Sequence, residues 1–297
     1  MNKTITGYKK IDKKYVLECN ERFDSILNSA VDKICVHGNV KVLGITGPSC
    51  SGKTTFAKKI IGYYSSKNIR VHKISLDDFY KDMYSDKSAI DTKNVDFDSP
   101  DTMDMEEISK FIHQLCECGR AEKPVFDFLI GGRGKPEQVE VKWGDIVIFE
   151  GIQLLYPEIY KLFRQMGGES IFISPESNIA VGDLLFPAEQ IRLYRRLVRD
   201  SNFRNSNFNI TFDMWSGVRR NEDLNIFPYM DECDIRIDTT QSYELNILKP
   251  YLVKCLGESD VKNEYYEKAQ EILSYFSNIE GIDASVLPAN SMYKEFV

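Results

Sequence analysis

A glycine-rich turn between an apolar run and a helix-compatible segment constrains the fold of this chain more than any other feature. Residues 47–54 read G-P-S-C-S-G-K-T and match the pattern G-x-x-x-x-G-K-[ST] in full. The apolar run 41–46 precedes this turn and the helix-compatible stretch 55–61 follows it, which is the context that the pattern requires. The sequence therefore predicts a strand, a phosphate-binding loop and a helix, in that order.

The residue types in this loop suit the phosphates of a nucleotide. Its glycines let the backbone wrap so that N–H groups and the helix N-terminus face the phosphates. Lys53 is expected to reach the terminal phosphates and the Thr54 hydroxyl to bind Mg²⁺. Cys50 is interpreted as a loop filler rather than a redox group. The candidate nucleotide-binding residues are Gly47, Ser49, Cys50, Ser51, Gly52, Lys53, Thr54 and Thr55.

Five short apolar runs recur along the chain and are separated by helical or mixed segments. They are buried-strand patterns, and their alternation with helices predicts a parallel sheet that is covered on both faces. A G-G-R-G turn between residues 123–128 and 138–142 predicts a hairpin that projects from the sheet. The five runs are residues 41–46, 70–75, 145–150, 169–174 and 233–238.

Both ends of the chain are predicted to be helical. Within residues 20–37, one helical stripe carries Phe23, Leu27, Ala30 and Ile34. Residues 243–256 and 264–276 also have helical patterns, and a tail without periodicity follows. The expected organisation is an N-terminal helical extension at 1–38, a nucleotide-binding domain at 39–240 and a C-terminal helical extension at 241–297. The two extensions are candidate surfaces for a homo-oligomer.

Composition and charge exclude several classes of protein. The chain has 297 residues, of which 42% are hydrophobic, so it can bury a large core without disulfides or metals. Its net charge of -7 argues against a broad basic face for nucleic acid. No stretch approaches the ~20 apolar residues that span a bilayer, and the first residues lack a signal-peptide core. Seven cysteines without framework spacing suit a reducing compartment, so a cytoplasmic protein without a nucleic-acid or membrane partner is expected.

Carboxylates follow two of the predicted strands. Glu150 ends the run 145–150, and Asp77 and Asp78 follow the run 70–75. Because ligands of open α/β sheets gather at the carboxyl ends of the strands, Glu150 is the candidate magnesium ligand beside Thr54. The two aspartates are candidate bases for a hydroxyl nucleophile, with a helix cap as the alternative.

An arginine cluster follows the fourth run. Arg192, Arg195, Arg196 and Arg199 are spaced at i, i+3, i+4 and i+7, so a helix places all four on one face. A solvated face is the ordinary explanation of such a pattern. In an acidic chain, however, concentrated positive charge suits closure over a transferring phosphoryl group. The Asn-rich residues 201–209 fit a mobile loop.

These motifs occur in the order of a known family. The segments G-P-S-C-S-G-K-T-T, S-L-D-D-F-Y, D-F-D-S-P-D-T-M-D, P-V-F-D-F and V-I-F-E-G-I, with the arginine-rich segment, resemble the uridine kinase and phosphoribulokinase family of P-loop kinases. The resemblance covers about residues 41–238. It implies a P-loop kinase fold with an arginine-rich lid at about residues 192–215, ATP and Mg²⁺ as cofactors, and a small-molecule acceptor.

The resemblance also implies roles for single residues. Asp77 matches the catalytic aspartate that would orient or deprotonate the attacking hydroxyl, and Asp98 matches the aspartate that holds ribose hydroxyls. Tyr80 and Phe126 would line the acceptor pocket. Glu150 matches the acid of the magnesium site. The residues expected to act on the transferring group or the acceptor beside these are Lys53, Arg196, Arg199 and Arg204.

The sequence departs from the uridine kinases where those enzymes recognise the base. Phe126 replaces a tyrosine and Gly131 a histidine, while Ser206 replaces a lid arginine and Met214 a glutamine. The phosphate-transfer motifs are complete, whereas the pyrimidine-reading set is largely absent. The expected function is an ATP-dependent kinase for a hydroxyl of a small metabolite, foremost a nucleoside. A phosphoribulokinase-like sugar-phosphate kinase and a nucleotide-binding regulatory ATPase module are the alternatives.

Overall fold

The computed structural model of the chain describes residues 3–34, 41–82, 99–128, 130–257 and 260–297. The strands are β1 (Thr4–Thr6), β2 (Lys41–Thr46), β3 (Val71–Ser75), β4 (Arg120–Lys123), β5 (Phe126–Asp127), β6 (Gly132–Arg133), β7 (Glu137–Glu140), β8 (Ile146–Glu150), β9 (Glu169–Ser174), β10 (Asn178–Val181), β11 (Leu184–Phe186) and β12 (Ile235–Asp238). The helices are α1 (Lys13–Ile34), α2 (Lys53–Ser65), α3 (Met105–Cys118), α4 (Pro157–Gln165), α5 (Ala188–Phe203), α6 (Phe208–Asn225), α7 (Glu244–Leu256) and α8 (Tyr266–Phe276).

Five strands form the central sheet, in the order β12–β9–β2–β8–β3. All neighbouring pairs run parallel, so the predicted five-stranded parallel sheet is confirmed. The observed strands start within two residues of the predicted runs. Because β2 is the middle strand, the loop that follows it lies at the centre of the sheet's carboxyl edge, between the ends of β8 and β9.

Helices cover both faces of this sheet. On one face, Leu43 of β2 and Ile148 of β8 belong to a buried cluster with side chains of α1 and α2. On the other face, Phe149 of β8 packs in a second cluster with Phe111 of α3 and Phe163 of α4. Strands that are buried on both faces explain why the runs are nearly continuous in apolar residues.

The N-terminal part of the chain is integrated into this arrangement. The predicted stripe of α1 is buried against α2 and the C-terminal residues, so it is not a free surface for self-association. Helix α1 also starts seven residues earlier than predicted, at Lys13. Strand β1, which the sequence analysis did not predict, pairs with β10 in a three-stranded sheet of order β1–β10–β11.

The projecting hairpin and the arginine-rich helix are both present, with bounds that differ from the predictions. The hairpin consists of two short ladders, β4 with β7 and β5 with β6. The arginines lie on α5, and only residues 204–207 separate α5 from α6. The expected loop at 201–209 is shorter because Asn207 caps α6, where its side chain accepts a hydrogen bond from the Asn209 amide. Within the described residues, no helix combines the length and apolar character needed to cross a membrane.

Candidate active site

The phosphate cradle, residues 47–54, joins the end of β2 to the start of α2. Gly47 and Gly52 have φ values of 144° and 97°, in the left-handed region that favours glycine. A Cβ on Gly47 would lie 1.9 Å from the carbonyl oxygen of Ile173 in β9. The glycines of the motif therefore satisfy both the turn of the loop and its close approach to the neighbouring strand.

Several donors and hydroxyls of the cradle are held in the way that an anion site requires. The ammonium group of Lys53 donates to the carbonyl oxygens of Gly47 and Pro48, at 3.0 and 2.9 Å. In the described part of the chain, the buried hydroxyls of Thr46 and Ser51 have no hydrogen-bond partner. An unsatisfied buried hydroxyl costs about 1–3 kcal/mol. Backbone N–H groups, an ammonium group and such hydroxyls form a donor set that fits the phosphates of a nucleotide.

Two carboxylates that the sequence analysis did not identify contact the cradle and the first turn of α2. Glu222 of α6 accepts a hydrogen bond from the Ser49 amide at 3.0 Å. Glu295 accepts from the amide and the hydroxyl of Thr55, at 3.2 and 3.0 Å. No motif marks either residue, because Glu295 lies in the tail without periodicity and Glu222 in a charged stretch with no evident pattern. Both contacts are made with N–H groups of the kind that bind phosphate.

Glu150 lies between the cradle and the turn that follows β3. In the sheet register it is the partner of Ile45 on β2 and of Ser75 on β3. Its side chain is buried, and one carboxylate oxygen is 3.0 Å from the Lys73 ammonium. In the described residues, no three His, Cys, Asp or Glu side chains gather closely enough to hold a metal ion by themselves. A magnesium ion here would therefore depend on Thr54, Glu150 and phosphate oxygens together.

Asp77 lies in the short 3₁₀ turn Leu76–Phe79 at the end of β3. The side-chain amide of Gln153 donates to Asp77 Oδ1 at 2.7 Å and to the Tyr80 hydroxyl at 3.0 Å. Asp77 still reaches solvent, but the protein packed around it raises its pKa above the usual range of an aspartate. The Gln153 hydrogen bond acts in the opposite direction, and the negative charge of Glu150 adds to the increase in the pKa.

The neighbouring acid, Asp78, has a different role. It accepts hydrogen bonds from the Lys123 ammonium group and, at 3.3 Å, from the Phe126 amide. Arg133, from the other arm of the hairpin, donates to the Tyr80 carbonyl oxygen and pairs with Asp104 at 2.8 Å. Asp78 therefore anchors the hairpin to the turn, whereas the side chain of Asp77 is exposed and, within the described residues, makes no contact with the hairpin that would hold it.

Three aromatic rings cluster beside the turn that carries Asp77. Tyr80 and Phe126 are buried with their ring centroids 5.5 Å apart. The ring of Phe128 is 5.9 Å from Tyr80 and 5.0 Å from Phe126, and Phe128 is 61% exposed. We call these three residues the aromatic wall. Asp98, the residue expected to hold ribose hydroxyls, lies outside the described residues.

The first two arginines of α5 are buried in ion pairs. Arg192 forms a bidentate salt bridge with Glu222 of α6, in which its two terminal nitrogens lie 2.6 and 2.8 Å from the carboxylate oxygens. Arg195 is fully buried and pairs with Glu244 of α7. Arg192 and Arg195, which share the predicted helix face but are not among the expected functional arginines, are thus covered by α6 and α7.

The remaining arginines gather around one carboxylate. Arg196, Arg199 and Arg204 lie 3.3, 2.9 and 3.6 Å from the buried carboxylate of Asp200. Arg196 also donates to the Ser49 hydroxyl at 3.2 Å, and the Arg204 side chain is 57% exposed. Three cations around one anion leave a surplus of positive charge beside the cradle, in a place suited to a transferring phosphoryl group.

A sequence model described as "Phosphoribulokinase / Uridine kinase family" matches residues 42–246 of this chain. The match includes the cradle, the turn with Asp77, the hairpin, Glu150 and helix α5. It leaves out α1 and the C-terminal residues that carry Glu295.

Curated relatives agree with this match. A uridine kinase from Brevibacillus brevis is 28% identical over 183 residues, which are 62% of this chain and 77% of the relative. A uridine kinase from Clostridium novyi is 30% identical over 177 residues, 60% of this chain and 76% of the relative. Among solved structures, a possible uridine kinase from Bacillus stearothermophilus superimposes with a TM-score of 0.51 at 18% identity, covering 74% of this chain and all of the other.

Proposed function

Because the chain belongs to the phosphoribulokinase / uridine kinase family and is thus a phosphotransferase with a hydroxyl acceptor, we propose that it phosphorylates a nucleoside hydroxyl with Mg-ATP. The observation that carries this proposal is the placement of Asp77. Its carboxylate is hydrogen-bonded to Gln153, which also binds Tyr80 of the aromatic wall, and Asp77 follows a strand two places from the cradle strand in the sheet.

The chain's own residues would divide the work of transfer as follows. Mg-ATP supplies the phosphoryl group and the charge of the metal ion, which Thr54 and Glu150 would hold. The cradle amides and Lys53 orient the phosphates, and Arg199 and Arg204 stabilise the charge that spreads over the transferring group. Asp77 accepts the proton of the attacking hydroxyl. Transfer then rests on positioning and charge stabilisation, without a covalent intermediate on the protein.

The aromatic wall favours an acceptor with a flat ring. Phe128 is 61% exposed, so a nucleobase can stack on its ring. Among the residues that the structure describes, two cations beside the wall are already paired, Lys123 with Asp78 and Arg133 with Asp104. A sugar phosphate needs an available cation for its phosphate group, so these pairs argue against a phosphoribulokinase-like acceptor.

We propose that the nucleobase of the acceptor is recognised through other contacts than those with which uridine kinases recognise a pyrimidine. The hydroxyl of the family's tyrosine is absent at Phe126, and Gly131 supplies no side chain. A site without such polar partners discriminates less between bases. Asp98 remains the proposed partner of the ribose hydroxyls.

Acceptor-dependent ADP formation tests this function directly. We expect turnover with nucleosides in a panel that also contains pentoses, sugar phosphates and hydroxylated amino acids. Asp77→Asn should lower kcat at least ~100-fold through loss of the base, with the KM for Mg-ATP unchanged. The matched control is Asp183→Asn, which alters an exposed aspartate in the turn between β10 and β11.

Three outcomes would speak against the proposal. A preference for sugar phosphates would favour the phosphoribulokinase-like alternative. ADP formation that no acceptor stimulates would favour a regulatory ATPase module. Full activity of the Asp77→Asn variant would remove Asp77 from the role of base.

A further inference from the structure

The last ten residues of the chain pack on the phosphate cradle, although they lie beyond the region that the family model matches. We call residues 288–297 the C-terminal strap. Tyr293 and Phe296 are fully buried. The Ser291 side chain caps the 3₁₀ turn Met292–Glu295 by accepting a hydrogen bond from the Tyr293 amide. The Asn202 side chain of α5 donates to the Phe296 carbonyl oxygen at 3.1 Å. The strap is therefore seated in the core and tied to the arginine helix.

The strap is linked to the cradle and to the first turn of α2 in three ways. A Cβ on Gly52 would lie 2.7 Å from the methyl carbon of Met292, so Met292 covers this glycine. Arg195 donates both to the Cys50 carbonyl oxygen and to the Tyr293 hydroxyl, each at 3.2 Å. Glu295 accepts from both donors of Thr55. These contacts place a carboxylate at the mouth of the cradle.

The contact with Thr55 uses a donor that a nucleotide would need. The first hydrogen bond within α2 runs from the Phe56 amide to the Gly52 carbonyl oxygen, so the Thr55 amide has no partner inside the helix. Free N–H groups of a helix N-terminus are the groups that bind phosphate. A carboxylate and a phosphate cannot share this amide, and their negative charges repel each other.

Glu295 is held more loosely than the other carboxylate on the cradle. Glu222 pairs with Arg192 and Arg219. In the described ranges no cation lies within 4.0 Å of the Glu295 carboxylate, and Arg199 attracts it only from farther away. A cavity of about 540 Å³ between α1, α2 and the strap borders both Thr55 and Glu295. Rotation of the Glu295 side chain into this cavity would release Thr55 without moving the buried Tyr293 and Phe296.

We propose that Glu295 is an internal competitor for the nucleotide site: its carboxylate occupies the Thr55 amide in the free protein, and bound nucleotide displaces it. The inference rests on the proposed nucleotide-binding function. It gives the strap a regulatory role, because any contact that holds Glu295 on Thr55 weakens nucleotide binding, and any contact that withdraws it strengthens binding.

The Glu295→Gln variant of the full chain tests this competition. Its amide is a neutral and weaker acceptor than the carboxylate, so we expect Kd for Mg-ADP and Mg-ATP to fall roughly tenfold in titration calorimetry. Glu280→Gln is the matched control, since it removes a paired glutamate of the same C-terminal region that bonds to Lys10 instead. An affinity of Glu295→Gln equal to or weaker than that of Glu280→Gln would overturn the proposal.

Two further measurements separate the possible failures. Faster hydrogen exchange of the Thr55 amide in nucleotide-free Glu295→Gln than in the unaltered chain would verify that the contact is broken, and equal exchange would count against the proposal. The nucleotide affinity of Lys53→Met shows whether nucleotide binds at the cradle. If the unaltered chain binds nucleotide through Lys53 and Glu295→Gln binds no tighter, only the strap inference fails. If no form of the protein binds nucleotide, the proposed function fails and the strap inference with it.

Discussion

Gln153 uses its amide nitrogen to hold two members of the acceptor site, Asp77 and Tyr80. The bond to Asp77 engages Oδ1, so Oδ2 is left for the hydroxyl of an acceptor. Gln153 itself is buried, and this limits its own movement. At the scale of a single residue, the orientation of Asp77, the proposed base, thus depends on the buried side chain of Gln153.

Gln153→Leu is predicted to change the pH dependence of transfer. Asp77 must be ionised to accept a proton, so activity rises as the pH rises through its pKa. The Gln153 hydrogen bond lowers that pKa, so its removal should move the acid limb of kcat/KM to higher pH. We also expect kcat at neutral pH to fall roughly tenfold. An acid limb that stays in place while kcat falls would show that Gln153 acts only through packing.

The sequence indicated some of these residues and not others, for a physical reason. The cradle and Asp77 belong to motifs whose spacing reflects the chemistry of phosphate transfer. Gln153 lies in the apolar stretch I-Q-L-L, where nothing in the pattern shows that its amide turns toward a residue 76 positions earlier. The contact of Glu295 was equally unpredictable from the sequence, because its partner Thr55 is 240 positions away.

At the scale of elements, the two halves of helix α5 place their arginines in different surroundings. Its first half holds Arg192 and Arg195 in buried pairs with α6 and α7, and its second half carries the cluster around Asp200. Helical periodicity correctly predicted that the arginines share a face. It could not show which part of that face other helices cover, because Glu222 and Glu244 follow much later in the chain.

Arg195→Met is predicted to destabilise the fold. It would leave the fully buried carboxylate of Glu244 without its cationic partner, at a cost of about 3–5 kcal/mol in the free energy of unfolding. Denaturant unfolding measures this cost. The double variant Arg195→Met/Glu244→Met should recover much of the loss, since it removes both charges. A single variant as stable as the unaltered chain would mean that the pair contributes nothing.

At the scale of the whole molecule, the terminal extensions share a core with the nucleotide-binding part. Residues of α1, α2, the central strands and the strap belong to one buried cluster. The sheet was predictable because each strand carries its own apolar run. The joining of the two ends was not, because it depends on contacts between segments more than 200 positions apart, such as Asn20 with Tyr243.

Phe23→Ala tests whether residues 1–38 form a separate unit. Phe23 is buried in the shared core, so its truncation should lower the free energy of unfolding of the whole chain by about 3–5 kcal/mol in one transition. Ile26→Ala on the same helix is the control, because Ile26 is 51% exposed, and it should change stability by no more than about 0.5 kcal/mol. A second, unaffected transition in Phe23→Ala would identify an independent extension.

Asp78 accepts hydrogen bonds from Lys123 and the Phe126 amide. These bonds couple the turn that carries Asp77, the proposed base, to the aromatic wall, the proposed acceptor site. A substitution that reshapes the wall near Phe126 therefore also displaces Asp77 relative to the phosphoryl donor. Phe128 is the exception, because it lies at the exposed rim and not at the anchor. If the proposed roles of Asp77 and the wall hold, exchange at Phe128 is the change that alters the fit of an acceptor while leaving Asp77 in place for proton removal.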